Sequence, residues 1–196
     1  MYVCSVKLKI DLSMEHPFHQ FHFCPKCGSN RFVEHNEKSK ECLDCGFVYY
    51  FNPVSATVAI ILRAKGDEWE MLTVRRGKEP AKGTLDLPGG FCDMFETGEE
   101  GMAREVKEET GLEVTDMHFL FTVPNQYLYS NFLVHTIDMF FLCEVRDTAI
   151  CHAMDDAADF AWIPLQDLSP EDFGLTSVRQ GLKKFLAKKQ HYIRNT

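Results

Sequence analysis

No stretch of this 196-residue chain approaches the roughly 20 consecutive apolar residues that a membrane-spanning helix needs. Positive charge is scarce too: 21 Lys and Arg stand against 29 Asp and Glu, a formal net charge of -8. A global basic face, of the kind that releases counterions from nucleic acid or meets anionic lipid, is therefore missing. The opening text MYVCSVKLKIDLSMEHPF is broken by Lys7, Lys9 and Asp11 and has no apolar run long enough for a secretory leader. Repeats and low-complexity tracts are also missing. These absences lead us to expect a soluble, cytoplasmic chain with no general nucleic-acid binding and no membrane contact. Monomer and homodimer both stay open.

What is present is enough for a core. Hydrophobic residues make up 45% of the chain and aromatics 12%, and the length suits one ordinary domain plus something small. Of the eight cysteines, Cys24 and Cys27 (CPKCG) and Cys42 and Cys45 (CLDCG) form two Cys-x2-Cys pairs, each followed by glycine, Gly28 and Gly46. One tight turn aims two thiolates at one ion, and two turns complete a tetrahedron around Zn2+. Two disulfides, a redox pair, or iron in the same four-thiolate site are the alternatives. Cys4, Cys92, Cys143 and Cys151 lack the spacing and read as small buried side chains or isolated thiols. His16, His19 and His22 recur beside the first pair at steps of three and receive no role.

After Cys45 the chain passes the turn-like Asn52-Pro53 and enters SATVAIILR, a β-branched run typical of a buried strand. WEMLTVRR, Glu113 to Val123, Phe132 to Val145 and Asp159 to Leu165 have strand character, with a hairpin turn expected in Arg63 to Asp67. Helical pattern covers Gly98 to Thr110 and Ser177 to Lys189, where Val178, Leu182, Phe185 and Leu186 form an apolar stripe. The expected architecture is α/β: a mixed sheet with at least two helices, behind a small metal-bound ribbon. The boundaries are residues 1–50 for the N-terminal segment and ribbon, and 51–196 for the larger domain.

Residues 90–112, GFCDMFETGEEGMAREVKEETGL, hold seven acids against two bases. Thr97 to Glu100 has the form of a capping box, and Gly111 suits the left-handed position that ends a helix. On that helix Glu105, Glu108 and Glu109 fall within about a 100° arc, while Met102, Ala103, Val106 and Thr110 face a core. A solvated acidic face is the plain alternative. Like charges at such spacings destabilise a helix by a few tenths of a kcal/mol per pair, whereas a hard divalent cation such as Mg2+ or Mn2+ reverses the sign.

Gly90, Glu96 and the run Arg104-Glu105-Val106-Lys107-Glu108-Glu109-Thr110-Gly111-Leu112 fill every fixed position of the Nudix box. The chain thus resembles the Nudix hydrolases, which act on nucleoside diphosphates linked to another moiety, over roughly Asn52 to Lys189. The ribbon resembles the zinc-binding domain that precedes the Nudix domain in NADH pyrophosphatases. The resemblance implies an α/β/α sandwich. It also implies that the Gly90 carbonyl, Glu105, Glu108 and Glu109 surround catalytic Mg2+ or Mn2+, with Glu96 in support and Arg104 holding the glutamates by charge-assisted hydrogen bonds. Glu105 is one candidate base. Asp156, in CHAMDDAADF with Asp155 and Asp159, stands where some relatives carry a loop glutamate.

Substrate identity is thinner in the text. Where NADH pyrophosphatases carry a Ser-Gln-Pro-Trp-type array, this chain reads VPNQYLYSNF, a departure that puts NADH specificity in doubt. Tyr127 and Tyr129 are candidates to stack on a base, and Arg75 and Arg76 to meet phosphates, with structural roles of similar weight. The favoured substrate is a small-molecule nucleotide such as NADH, ADP-ribose or FAD. A non-catalytic nucleotide sensor with a zinc ribbon is the competing expectation, although a sensor would be expected to carry a degraded box.

Overall fold

The structure is a computed structural model and describes residues 16–130, 132–148 and 157–193. The chain divides into two compact units at Asn52–Pro53. Among the described residues no helix is long and apolar enough to cross a membrane.

The smaller unit is a three-stranded antiparallel sheet, β1 (Phe32–Asn36), β2 (Ser39–Cys42) and β3 (Val48–Tyr50), preceded by a 3-10 turn over Pro17–Gln20. Its buried apolar cluster is small: Cys24, Phe32 and Cys42, with Phe21 and Phe47 against it. A second aromatic group gathers Phe18, Phe21, Tyr49 and His16 around Phe51, at ring distances of 4.8 to 6.2 Å. Lys40, although buried, is satisfied by the carbonyl of Phe21 at 2.6 Å.

The larger unit is a mixed sheet between two helical layers. Its strands are β4 (Val54–Lys65), β5 (Glu68–Arg76), β6 (Leu85–Asp86), β7 (Val114–Tyr129), β8 (Phe132–Val145) and β9 (Ala157–Pro164); its helices are α1 (Gly98–Thr110) and α2 (Thr176–Ile193). The order is β6-β5-β4-β8-β7, with β9 on β5; β4 and β8 run parallel and the other pairings are antiparallel. β4 reads as a continuous β-branched run because it is central and covered on both faces. Its side chains alternate between two cores: Val58 and Ile60 pack toward Val178, Leu182 and Phe185 of α2, while Ala59 and Ile61 pack toward Met102 and Val106 of α1. Full burial of each such side chain contributes roughly 1.5–3 kcal/mol. Gly181 lets α2 approach the sheet, since a Cβ there would lie 2.2 Å from the Phe140 ring.

The helices start and stop where expected, α1 to the residue and α2 with a slightly longer span. One strand is longer than expected. Past Val123, where the sequence pattern ends it, β7 continues in unbroken register with β8, from Pro124↔Ile137 to Tyr129↔Phe132. Proline cannot donate to a ladder, but β7 is an edge strand, where the missing N–H costs nothing. β9 opens two residues earlier than expected, at Ala157, and Asp159 lies within it as the strand pattern predicts, opposite Arg75.

Candidate active site and thiolate cluster

The two Cys-x2-Cys turns are built alike. The N–H of Gly28 donates to the Cys24 carbonyl and that of Gly46 to the Cys42 carbonyl, both at 2.8 Å, and the N–H groups of Cys24 and Cys42 close onto Ser29 and Phe47. Gly28 and Gly46 adopt φ of 75° and 69°, which a side chain would resist. The turns bring Cys24 Sγ to 3.8 Å from Cys45 Sγ and Cys27 Sγ to 3.6 Å from Cys42 Sγ, and all four sulfurs lie within 4.8 Å of one another. Sulfurs ~2.3 Å from a tetrahedral Zn2+ sit about 3.8 Å apart, so the cluster fits that ion, and the separations are far from the ~2.05 Å of a disulfide. His19 instead pairs with Glu34 at 3.2 Å, and His16 Nδ1 accepts the Phe18 N–H. Among the described residues these four cysteines are the one tight cluster of metal-ligating atoms.

In the larger unit, α1 begins with a complete capping box between Thr97 and Glu100 and ends at Gly111 with φ 72°. Met102, Val106 and Thr110 are buried, which turns Glu105, Glu108 and Glu109 away from the core. Arg104 is the hub. Its Nε and Nη2 grip Glu96 at 2.7 and 3.0 Å, Nη1 donates to Glu105 at 2.8 Å and Glu108 at 3.0 Å, and Nη2 also reaches the Phe91 carbonyl. Hydrogen bonding to Arg104 holds the Glu96 carboxyl below its ordinary pKa. Glu105 shifts the other way: burial pushes it up, against the pull of Arg104. A carboxylate tied to one guanidinium yet partly desolvated is a better proton acceptor than a solvated one.

Two glycines fix the approach to these acids. A Cβ on Gly90 would stand 2.6 Å from the Glu105 carboxyl, and the Gly90 carbonyl accepts the Thr57 N–H at 2.8 Å. The Gly89 N–H donates to Glu109 at 3.1 Å. Glu105, Glu108, Glu109 and the Gly90 carbonyl thus offer hard oxygen donors around one opening, without closing into an all-protein cage. Mg2+ accepts such a set because it retains several waters. Gly101, one turn before Glu105, makes room for Glu96 and Cys92.

The acids open onto a cleft of about 560 Å3, which also takes in Arg75, Arg76, Tyr127 and Tyr129. Tyr127 and Tyr129 stack at 6.4 Å and 20°, and Phe91 meets Tyr127 edge-on. Arg76 is already engaged: Nη1 pairs with Asp86 at 2.5 Å, Nε donates to the Pro80 carbonyl and Nη2 to the Tyr127 hydroxyl. Arg75 donates to the Gly83 carbonyl and is the more exposed of the two. Asp156 lies outside the described residues.

Sequence reasoning overlooked Asp86, Asn125, Thr136 and Asp138, which also line the cleft. A signal existed for two of them: in β8, Thr136 and Asp138 fall on the same alternate face as Phe140 and Leu142. Burial pushes the Asp86 carboxyl up despite its Arg76 partner.

The family described as "NUDIX domain" matches residues 52–188. The chain is similar to the NAD-capped RNA hydrolase NudC of Vibrio vulnificus, 26% identical over 148 residues that cover 76% of this chain and 52% of that protein. It is also similar to NudC of Deinococcus radiodurans, 26% identical over 165 residues covering 84% and 56%. The chain thus spans about half the length of these curated relatives. Among solved structures, a NUDIX hydrolase from Nitrosomonas europaea superposes with a TM-score of 0.66 at 21% identity, covering 86% of this chain and 92% of the other. The NUDIX domain of Shewanella oneidensis NrtR, complexed with ADP ribose, gives 0.55 at 22% identity, covering 71% and 88%. With the box helix, the glycine approach and the sandwich all in place, the family match over most of the chain makes it a member of the NUDIX family.

Proposed function

We propose that the chain is a pyrophosphohydrolase that uses Mg2+ or Mn2+ to cleave the diphosphate bridge of a nucleoside diphosphate derivative such as NADH, ADP-ribose or FAD, releasing two monophosphates. The observation that carries this reading is the shared opening: carboxylates organised by Arg104 face the same cleft as a stacked tyrosine pair and Arg75. The NAD-capped RNA hydrolases among its relatives support a substrate in which a diphosphate joins two nucleosides. The thiolate cluster would hold Zn2+ in a structural role, because four sulfurs leave no open position for substrate.

Divalent ions held by Glu105, Glu108, Glu109 and the Gly90 carbonyl would neutralise the phosphoryl oxygens and make a water more acidic. Arg104 keeps Glu105 and Glu108 oriented, and Glu96 anchors Arg104. Glu105 takes the proton as the water oxygen attacks phosphorus; Asp156 is the second candidate for that step. The P–O–P bridge breaks on the side of the attacked phosphorus, and the bridging oxygen leaves with the other monophosphate. Tyr127 and Tyr129 offer ring faces for a base, and Arg75 is better placed than the engaged Arg76 to meet a phosphate.

A screen of nucleoside diphosphate derivatives with each metal, resolved by chromatography, tests the reading. The expected result is two monophosphates and no orthophosphate, abolished by chelator and restored by Mg2+ or Mn2+. Orthophosphate release, or full turnover after exhaustive chelation, would overturn it. Tight binding without turnover would favour the nucleotide sensor instead.

A further inference from the structure

The inner end of the cleft holds a carboxylate that the hydrolytic steps do not use. β8 places Thr136, Asp138, Phe140 and Leu142 on one face, and the last two belong to the core under α2. The same face therefore changes from hydrocarbon to a hydroxyl and an acid as it enters the cleft. Asp138 is 4% exposed and Asp86 5%. Asp86 is well satisfied: it accepts from Arg76 and, at 2.9 Å, from the Leu87 N–H. Asp138 is not. Its Oδ1 accepts the Thr136 hydroxyl at 2.5 Å; no described residue donates to Oδ2, which is not among the fully buried atoms left without a partner and so opens on the cleft.

Once a bound base closes the cleft over it, an acceptor left without a partner would cost about 1–3 kcal/mol, more when charged. The nearby cation offers no remedy, since the Arg76 fork is committed to Asp86, Pro80 and Tyr127. Two carboxylates beside one guanidinium leave a surplus of acceptors, which repels phosphate and calls for a hydrogen-bond donor. The Tyr127 hydroxyl reaches Arg76, so its ring lines the same cleft as this acid pair, and Asn125 pairs with Thr136 on the adjacent strand. The cleft thus offers an aromatic lining and an unfilled acceptor, and a flat base bearing an N–H suits both.

We propose that Asp138 is a specificity-determining residue whose free carboxylate oxygen accepts an N–H from an exocyclic amino or carboxamide group on the substrate's base, with Thr136 fixing the carboxylate's orientation. The proposal rests on reading the cleft as a nucleotide site. A site built to pair with a polar group rejects analogues that lack it, because its own buried atom is then stranded.

Two matched substrate pairs test it and identify the donor. NADH against its deamino analogue exchanges the adenine amine for a carbonyl; NAD against nicotinic acid adenine dinucleotide exchanges the carboxamide for a carboxylate. One pair should differ at least ~tenfold in kcat/KM, carried mainly by KM. In Asp138→Asn, which keeps the shape and gains a donor, that ratio should fall toward one or invert. Should that variant not fold, Thr136→Val, which removes only the orienting hydroxyl, should lower the ratio by a smaller factor. Equal rates on both pairs, or a wild-type ratio in the variant, would overturn the proposal. If the protein cleaves none of the four, the hydrolytic reading fails separately. The same ratios are then read as dissociation constants by calorimetry, where indifference or absence of binding overturns the role of Asp138.

Discussion

The two units of this chain use their ligand-type side chains in opposite ways. In the smaller one, four sulfurs converge to within 4.8 Å of one another, and the apolar cluster around them amounts to Phe32 and the cysteines themselves with Phe21 and Phe47. In the larger one, the carboxylates stand on a helix whose position is fixed by Met102 and Val106 in a core that does not depend on them. On the proposed reading, soft ligands hold the first fold together and hard ligands are carried by the second.

The sharpest way to break this contrast is to remove one thiolate. A structural zinc site contributes on the order of 10–16 kcal/mol to folding a small module, more than so slight a core supplies. Cys24→Ser and Cys42→Ser should each lose zinc, and residues 24–45 should lose hydrogen-exchange protection, while the NUDIX unit keeps at least part of its turnover. Stoichiometric zinc and native protection in either variant would show that the ribbon stands without its metal.

Removing a carboxylate should do the reverse. Glu105→Gln and Glu109→Gln should each lower kcat by at least 100-fold, about 2.7 kcal/mol of barrier, with little loss of melting temperature. For Glu105 the melting temperature should hold or rise, since burial already disfavours its charged form. Near-normal turnover in both would remove the box acids from the chemistry.

The same contrast explains what could be read in the text. Each Cys-x2-Cys turn is local, and so is the capping box from Thr97 to Glu100, so spacing alone located the thiolate cluster and the start of α1. The role of Arg104 came instead from the resemblance to the Nudix box, and in the structure it bonds Glu105 and Glu108 on its own helix and Glu96 before it. The inner cleft is different. Asp86 on β6, Arg76 on β5, Tyr127 on β7 and Asp138 on β8 meet only through sheet order, which no short window encodes. Edge position likewise decided that Pro124 sits in a strand, and an edge is a property of the whole sheet.

Adjacent glycines offer a finer test of which positions serve the fold and which serve the site. A Cβ on Gly89 would meet the Thr57 backbone oxygen at 2.1 Å, whereas one on Gly90 meets only the end of the Glu105 side chain. Gly89→Ala should therefore lower stability by about 1–3 kcal/mol, as overpacking against backbone does. Gly90→Ala should stay within about 0.5 kcal/mol of wild type in denaturant titration, yet lose roughly tenfold or more in kcat because Glu105 is displaced. Equal stability of the two variants would count against this division.

The smallest expected effect concerns a carboxylate that serves only the fold. Glu70 on β5 is buried between Lys65, at 2.8 Å, and Arg63, at 2.7 Å, and Arg63 in turn lies over the Trp162 ring. The Lys65 hydrogen bond, reinforced by Arg63, holds its folded-state pKa below the ordinary 4.5. The folded state therefore binds the Glu70 proton less readily than the unfolded chain does. Its contribution to stability is fully present above pH ~4.5 and fades as the pH falls through the folded value. Denaturant midpoints of wild type and Glu70→Gln should differ by a constant amount from pH 7 to 5, with the wild type the more stable, and should converge as the pH is lowered toward 3. Turnover of the variant at pH 7 should stay near that of the wild type, because Glu70 is not among the residues lining the cleft. A gap that widened with acid, or a loss of turnover comparable to that of Glu105→Gln, would mean that this ion pair does more than fasten the β4–β5 hairpin.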